Sequence, residues 1–182
     1  TEANFGGLAK ESFGGMFFVN SPFQRLTGIK DNEQLAHDDW MTFGELPKEE
    51  YWGRRWAEKF VFSTHDVFDF VRKYGIKFFP VVHWVERGLF KPGNSVPRFH
   101  MVWGTGHGLI AALVKGLNKH KNRSKLQLAF QHKVDSITIE NGKIRGCSGT
   151  NEVSLEVFET HSKIVIIATG GINGDMNLVR KY

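Results

Sequence analysis

Residues 134–147 read VDSITIENGKIRGC, and this segment leaves the chain few choices. Val, Ile and Thr recur at alternate positions around Asn141-Gly142, and β-branched side chains that crowd a helix fit a pleated strand. An Asn-Gly pair between two such arms supplies the two positive φ angles of a type I′ turn, whose twist matches that of its flanking strands. Register follows: Ile139 is expected opposite Ile144. Leu126, Leu128 and Phe130 alternate before the hairpin, and Val153, Leu155 and Val157 after it. A three-stranded β-meander over about 126–158 is the expectation.

The end of the chain carries a different strand signature. In KIVIIATGGINGD, residues 163–175, Ile164 to Ala168 is an unbroken apolar run. A strand with no polar face suits a parallel sheet covered by helices on both sides. The run leads into Thr169, Gly170 and Gly171, with a helix expected from near Asn173, so that strand and helix fill 163–182. Two readings of the glycine pair stay open. Either it makes a tight strand-to-helix turn, or it leaves main chain bare where open α/β sheets bind ligands and where helix N-termini suit phosphate. GTGHG at 104–108 has the same two readings, and it is not the dinucleotide GxGxxG because Leu109 occupies the third glycine position.

Before the meander the periodicity is helical. Asp31 is placed to cap a helix carrying Leu35, Ala36 and Trp40, with Gln34 at the capping-box position. Trp52, Trp56 and Phe60, then Val67, Val71 and Tyr74, predict two more helices, the second ending at Gly75. A helical region over about 30–75 results. IKFFPVVHW, residues 76–84, is β-prone but holds Pro80, which confines it to a sheet edge or an extended loop. Glycines and prolines punctuate an irregular stretch over about 88–108. Leu109, Leu113 and Leu117 beside Ile110 and Val114 then predict an amphipathic helix over about 107–122.

With 182 residues the chain has material for one domain or a piece of one. Its 24 Lys and Arg against 19 Asp and Glu give a net charge of +5, spread along the chain. Lys115, Lys119, Lys121, Arg123 and Lys125 form a basic run, but no aromatics interleave with it, so no nucleic-acid partner is expected. Cys147 stands alone, which excludes an internal disulfide and a multi-cysteine zinc site and points to a reducing, cytoplasmic compartment. No apolar run reaches the roughly 18 residues of a membrane span. The first residues, Thr-Glu-Ala-Asn-Phe-Gly-Gly, lack an initiating Met and lie inside a glycine loop, as expected of an internal piece of a longer chain.

Few side chains suggest chemistry. Arg98 and His100 lie in the irregular stretch: Arg98 either attracts a substrate oxyanion or pairs with a carboxylate, and His100 either lines a substrate site or fills a polar pocket. His37, Asp38 and Asp39 point around a helix in several directions and read as a solvated face, so no metal is expected. His65 reads as a helix-start residue, His132 and His161 as strand residues, and Cys147 as a small core or hairpin residue. The Trp52, Trp56, Phe60 stripe reads as core packing, with stacking on a flat ligand as the alternative.

Taken in order, FGGLAKESFGG (5–15), a glycine-rich turn into a helix, strand, Asn-Gly hairpin, third strand and IIATGG resemble the flavoprotein subunits of succinate dehydrogenase and fumarate reductase. GGMFFVNSPFQRLTGIKD (14–31), WGRRWAEKFV (52–61), IKFFPVVHWVERG (76–88) and GNSVPRFHMVWGTGHG (93–108) are most similar to its branch of FAD-binding dehydrogenases related to 3-ketosteroid dehydrogenases. The likeness spans the chain. It implies an α/β fold: an incomplete Rossmann-like FAD/NAD(P)-binding domain over 1–182, with a β-meander and a helical segment. FAD is the implied cofactor, with Gly6, Gly7, Ser12, Gly14 and Gly15 along the pyrophosphate and flavin, Val134 holding adenine by its main chain, and Thr169, Gly170 and Gly171 over the adenosine.

The implied activity is that of an FAD-dependent oxidoreductase acting on a C–C bond next to a carbonyl, in a steroid-like ketone or a fumarate-like acid. The family's opening strand, GxGxxG turn and ribose-binding acid would precede Thr1, and Glu2 falls too late to be that acid. Proton donors and the substrate cap would follow Tyr182, so no catalytic residue is assigned. The piece alone is expected neither to hold FAD tightly nor to turn over. The alternative is a non-catalytic module that associates with itself, as a homodimer, or with a partner through exposed apolar surface.

Overall fold

The computed structural model describes residues 2–84 and 92–181. Its elements fall into two units, Asn4–Gln127 and Thr1–Ala3 with Leu128–Tyr182. Along the first run α1 (Gly7–Lys10), β1 (Gly15–Phe17), α2 (Pro22–Leu26), α3 (Glu33–Phe43), α4 (Tyr51–Phe62), α5 (Thr64–Lys73), β2 (Phe99–Met101) and α6 (Thr105–Lys119). The second holds β3 (His132–Glu140), β4 (Lys143–Asn151), β5 (Val157–His161) and α7 (Met176–Lys181).

β1 organises the first unit. It pairs antiparallel with β2, Gly15 opposite Met101 and Phe17 opposite Phe99. Side chains alternate across a strand, and the residues from 16 to 19 obey this strictly. Met16 and Phe18 join Val71, Ile76, Phe78 and Val102 in one core, packed by Phe68 of α5 and by Leu109, Ala112 and Leu113 of α6. Phe17 and Val19 turn the other way, onto Ala36 and Trp40 of α3 and Val61 of α4. Phe18 makes edge contacts with Phe68 and Phe78 at 5.1 and 5.4 Å, the preferred arrangement for ring quadrupoles. Residues 76–84 run extended beside β2, bridged at Phe78–Val102 and His83–Phe99, in keeping with Pro80.

Several helix expectations need correction. The cap of α3 is Asn32, whose Oδ1 accepts from Leu35 N–H at 2.9 Å, while Gln34 bonds Asp38 instead of closing a capping box. Asp31 is drawn away by a buried arginine. Trp52 and Trp56 of α4 are 68% and 69% exposed, so the stripe is not core; only Phe60 packs, at 5.5 Å from Phe17 and 5.0 Å from Trp40. Asp39 is buried rather than part of a solvated face. The helix expected over 107–122 begins earlier, at Thr105 after Gly104 in the left-handed region, and ends at Lys119, where His120 turns extended. Residues 88–91 of the irregular stretch lie outside the described residues.

The second unit is the expected meander, in the order β3-β4-β5. Asn141 and Gly142 have φ of 50° and 71°, and Ile139 faces Ile144. Its outer limits differ from expectation. Residues 126–130 form no strand, and Val153 and Leu155 lie in the turn before β5. Asn151 Oδ1 accepts from Val153 and Ser154 N–H there, which holds that turn. Ile164 to Ala168 also forms no strand: Ile166 is 85% exposed, and the described residues supply no neighbour to which its main chain could pair. The last helix starts at Met176, with Asp175 Oδ1 accepting from Asn177 and Leu178 N–H, rather than near Asn173.

Candidate functional site

The glycines singled out by the sequence do two different things. Gly14, with φ of 65°, packs on the start of α6: a Cβ there would sit 2.7 Å from the carbonyl carbon of Thr105. Gly106 packs back, its N–H donating to Ser12 O at 2.8 Å, and a Cβ on it would meet Ala9 O at 2.1 Å. Gly15 lies under the Phe99 ring, which a Cβ would strike at 1.9 Å. These three let backbone approach protein. Ser12 locks the same loop, its Oγ–H donating to Ala9 O at 2.8 Å and its Oγ accepting from Gly14 N–H at 3.1 Å.

Gly6 and Gly7 form the second kind. Both take positive φ, 125° and 47°; a Cβ on Gly7 would meet nothing within 4 Å, whereas one on Gly6 would meet the Lys10 side chain at 3.0 Å. Gly170, Gly171 and Gly174 of the second unit are equally open, and Gly170 has φ of 79°. Bare main chain of this kind fits a dinucleotide that passes close to it. At Val134 the fit is different: the ladder slips between Val134 and Ser136, leaving Asp135 as a bulge beside it. Bulges re-aim groups and break pairing next to binding sites.

Arg98 and His100 are both buried, and they anchor one polar chain. Arg98 Nε and Nη2 donate to Asp31 Oδ2 and Oδ1 at 2.9 and 2.8 Å, and Nη1 donates to Asp39 Oδ2 at 2.7 Å. Burial opposes its charge, but these two carboxylates win and hold its pKa above the ordinary value. Asp39 Oδ2 also accepts from Ser95 Oγ–H at 2.6 Å. His100 Nδ1–H donates to Arg98 O at 2.8 Å, so Nε2 accepts from Ser21 Oγ–H at 2.6 Å. Gln24 Nε2 closes the chain onto Asp31 at 2.9 Å. Burial pushes the His100 pKa down. A guanidinium fully engaged by two carboxylates orients protein segments, and the carboxylate reading of Arg98 is the one its geometry carries. Ser21, Asp31 and Asp39 belong to this polar chain too, though the sequence reading did not include them; Ser21 Oγ accepts from Gln24 N–H at 3.1 Å and caps α2, and no local pattern marks its link to His100.

A groove of about 490 Å³ runs along β1, lined by Gly15, Met16, Trp56, Phe60 and Val67, with Lys59 the one charged residue among its described walls. Among the described residues, no group of histidine, cysteine and carboxylate side chains could hold a metal. None of the described helices is long and apolar enough to cross a membrane.

Helices on both sides of a short antiparallel pair, followed by a meander and an open glycine turn, define a mixed α/β domain. The same fold occurs in the solved Mycobacterium smegmatis Sdh1 complex in its apo form, with a TM-score of 0.73 at 21% identity over 94% of this chain and 30% of that one. The chain belongs to the FAD binding domain family, which matches residues 1–182, and FAD is the cofactor of that family. It is 40% identical to a KsdD-like steroid dehydrogenase of Mycobacterium tuberculosis, over 98% of this chain and 34% of the relative. A KsdD-like steroid dehydrogenase of Mycolicibacterium smegmatis is 38% identical over 98% of this chain and 36% of its own length. NADH:fumarate oxidoreductase of Klebsiella pneumoniae is 23% identical over 97% of this chain and 18% of its own. The chain thus spans about a third of the steroid dehydrogenases it resembles.

Proposed function

We propose that this chain is the FAD-holding part of a dehydrogenase or reductase that acts on a C–C bond next to a carbonyl, with a steroid-like ketone as substrate ahead of a fumarate-like acid. FAD, when bound, takes up or gives the hydride. In this reading Gly6 and Gly7 give bare main chain to the pyrophosphate and flavin, with Ser12, Gly14 and Gly15 holding that loop in shape. Val134 main chain holds the adenine, and Thr169, Gly170 and Gly171 cover the adenosine. Arg98 and His100, for which the sequence left a substrate role open, act here as positioning residues that tie α2, α3 and β2 to one another. Proton transfer is assigned to no residue of this chain.

One observation carries the substrate order. The groove beside Gly15 is walled by Met16, Trp56, Phe60 and Val67 with Lys59 as its charged residue, a lining that suits a fused apolar ring system better than a dicarboxylate. The 40% identity to a steroid dehydrogenase, against 23% to a fumarate oxidoreductase, points the same way. The test is turnover by the FAD-loaded holoenzyme with an artificial electron acceptor or donor. A 3-ketosteroid is expected to be dehydrogenated, and Trp56→Ala to raise its KM about tenfold, the effect of losing part of an apolar contact. Turnover of fumarate but of no steroid would replace the ketone with the acid.

A further inference from the structure

A second groove, of about 420 Å³, opens where α3 and the loop before α4 meet α4. It lies outside the flavin reading and carries a different chemistry. Lys48, Arg54 and Arg55 line it with one carboxylate, Glu58. Arg55 spends its charge on Glu58 at 3.1 Å. Arg54 donates through Nη1 to Leu46 O at 3.1 Å, which fixes the guanidinium without neutralising it. Lys48 meets no carboxylate among the described residues. Two cations therefore face one concavity without an ion-pair partner among the described residues, and such an arrangement attracts an anion.

Flat rings flank the charges. Tyr51 is 62% exposed and held edge-on by Trp52 at 5.1 Å; Phe62 is 52% exposed and lies 6.3 Å from the ring of His37 on α3. Exposed aromatics beside a basic pocket offer stacking faces for a base, and paired cations suit adjacent phosphates. We propose that this groove binds a nucleoside diphosphate, its phosphates on Lys48 and Arg54 and its base against Tyr51. The site is separate from the one that takes FAD.

ADP titrated calorimetrically into the protein at low salt, with one equivalent of FAD to fill the dinucleotide site and none in excess, since FAD carries the same adenosine diphosphate, tests this. Saturable binding is expected, weakened about tenfold by Lys48→Glu and similarly by Tyr51→Ala, with FAD content unchanged, because a charge-assisted contact is worth roughly that factor. Both substitutions are at exposed positions and leave the cores intact. Absence of ADP binding would overturn the proposal. So would binding that ignores both substitutions but is lost in Gly170→Val, which would place ADP on the open glycine turn. Inorganic phosphate bound as tightly as ADP would reduce the groove to a bare anion site and remove the nucleoside.

Discussion

The two units of this chain are built on opposite economies of surface. Asn4–Gln127 turns alternate residues of one short strand into two aromatic and aliphatic cores and fully buries Phe18, Val19, Val61 and Val102. Among its described residues the meander unit fully buries no large apolar side chain: Val134, Ile139, Val157, Ile164 and Ile166 all stand more than half exposed. Its shape comes from ladders, a type I′ turn and glycines at which a Cβ would strike the next strand, as on Gly146 at 1.7 Å from Thr160 O. Hydrogen bonds set register at little net gain; burial supplies the driving force. The lesson is that a strand pattern can be fully specified in a segment that leaves most of its large apolar side chains exposed.

The contrast can be broken at its strongest point first. Arg98→Met leaves Asp31 and Asp39 buried without a counter-charge, and a loss of about 3–5 kcal/mol is expected from the first unit. Hydrogen exchange should show 4–127 opening while the β3-β4 hairpin keeps its protection. Equal loss in both would mean that they fold as one cooperative body.

Acid sharpens the comparison next. Burial lowers the folded pKa of His100 from its ordinary 6.5, so above that value both states are neutral and the residue contributes nothing. Below it the unfolded imidazole takes a proton that the folded one refuses, and stability falls with pH at up to about 1.4 kcal/mol per unit until the folded group titrates. Glu33, held low by main-chain hydrogen bonds and then by His65 at 2.7 Å, adds a separate loss only below its ordinary 4.5. Denaturant midpoints from pH 7 to 5 check the first, and His100→Asn is expected to flatten that slope.

The smallest effect is the most telling. Ile166→Lys changes a side chain that is 85% exposed, and a shift within about 0.5 kcal/mol is expected for the chain by itself. A loss of 2 kcal/mol or more, roughly the value of a buried Ile, would show that something covers the run in solution.

What the sequence made legible was local. The hairpin register needed only Asn141-Gly142 and its flanking Ile residues, and the helices α3, α4 and α5 needed only their own spacing. Long-range partners were not legible. Asn32 rather than Asp31 caps α3 because Arg98 claims Asp31 from 67 residues away, and no window of sequence contains that contest. A separation of 59 residues from Arg98 hid Asp39 in the same way. Apolar spacing identified α4 but not which of its faces is covered, so Trp52 and Trp56 were misplaced. For the site, composition marked the glycines without separating those that admit another strand of protein from those left open, since the neighbours that decide it, Phe99 and Thr105, lie about 90 residues on from Gly14 and Gly15.

The polar chain from Ser95 through Asp39, Arg98, Asp31, Gln24 and Ser21 to His100 has a practical corollary for anyone redesigning this region. Each member has its partners already assigned, so swapping one orphans the next. Combinatorial libraries should vary these positions as a set, and compensating pairs at 31 and 98 should be recovered together or not at all.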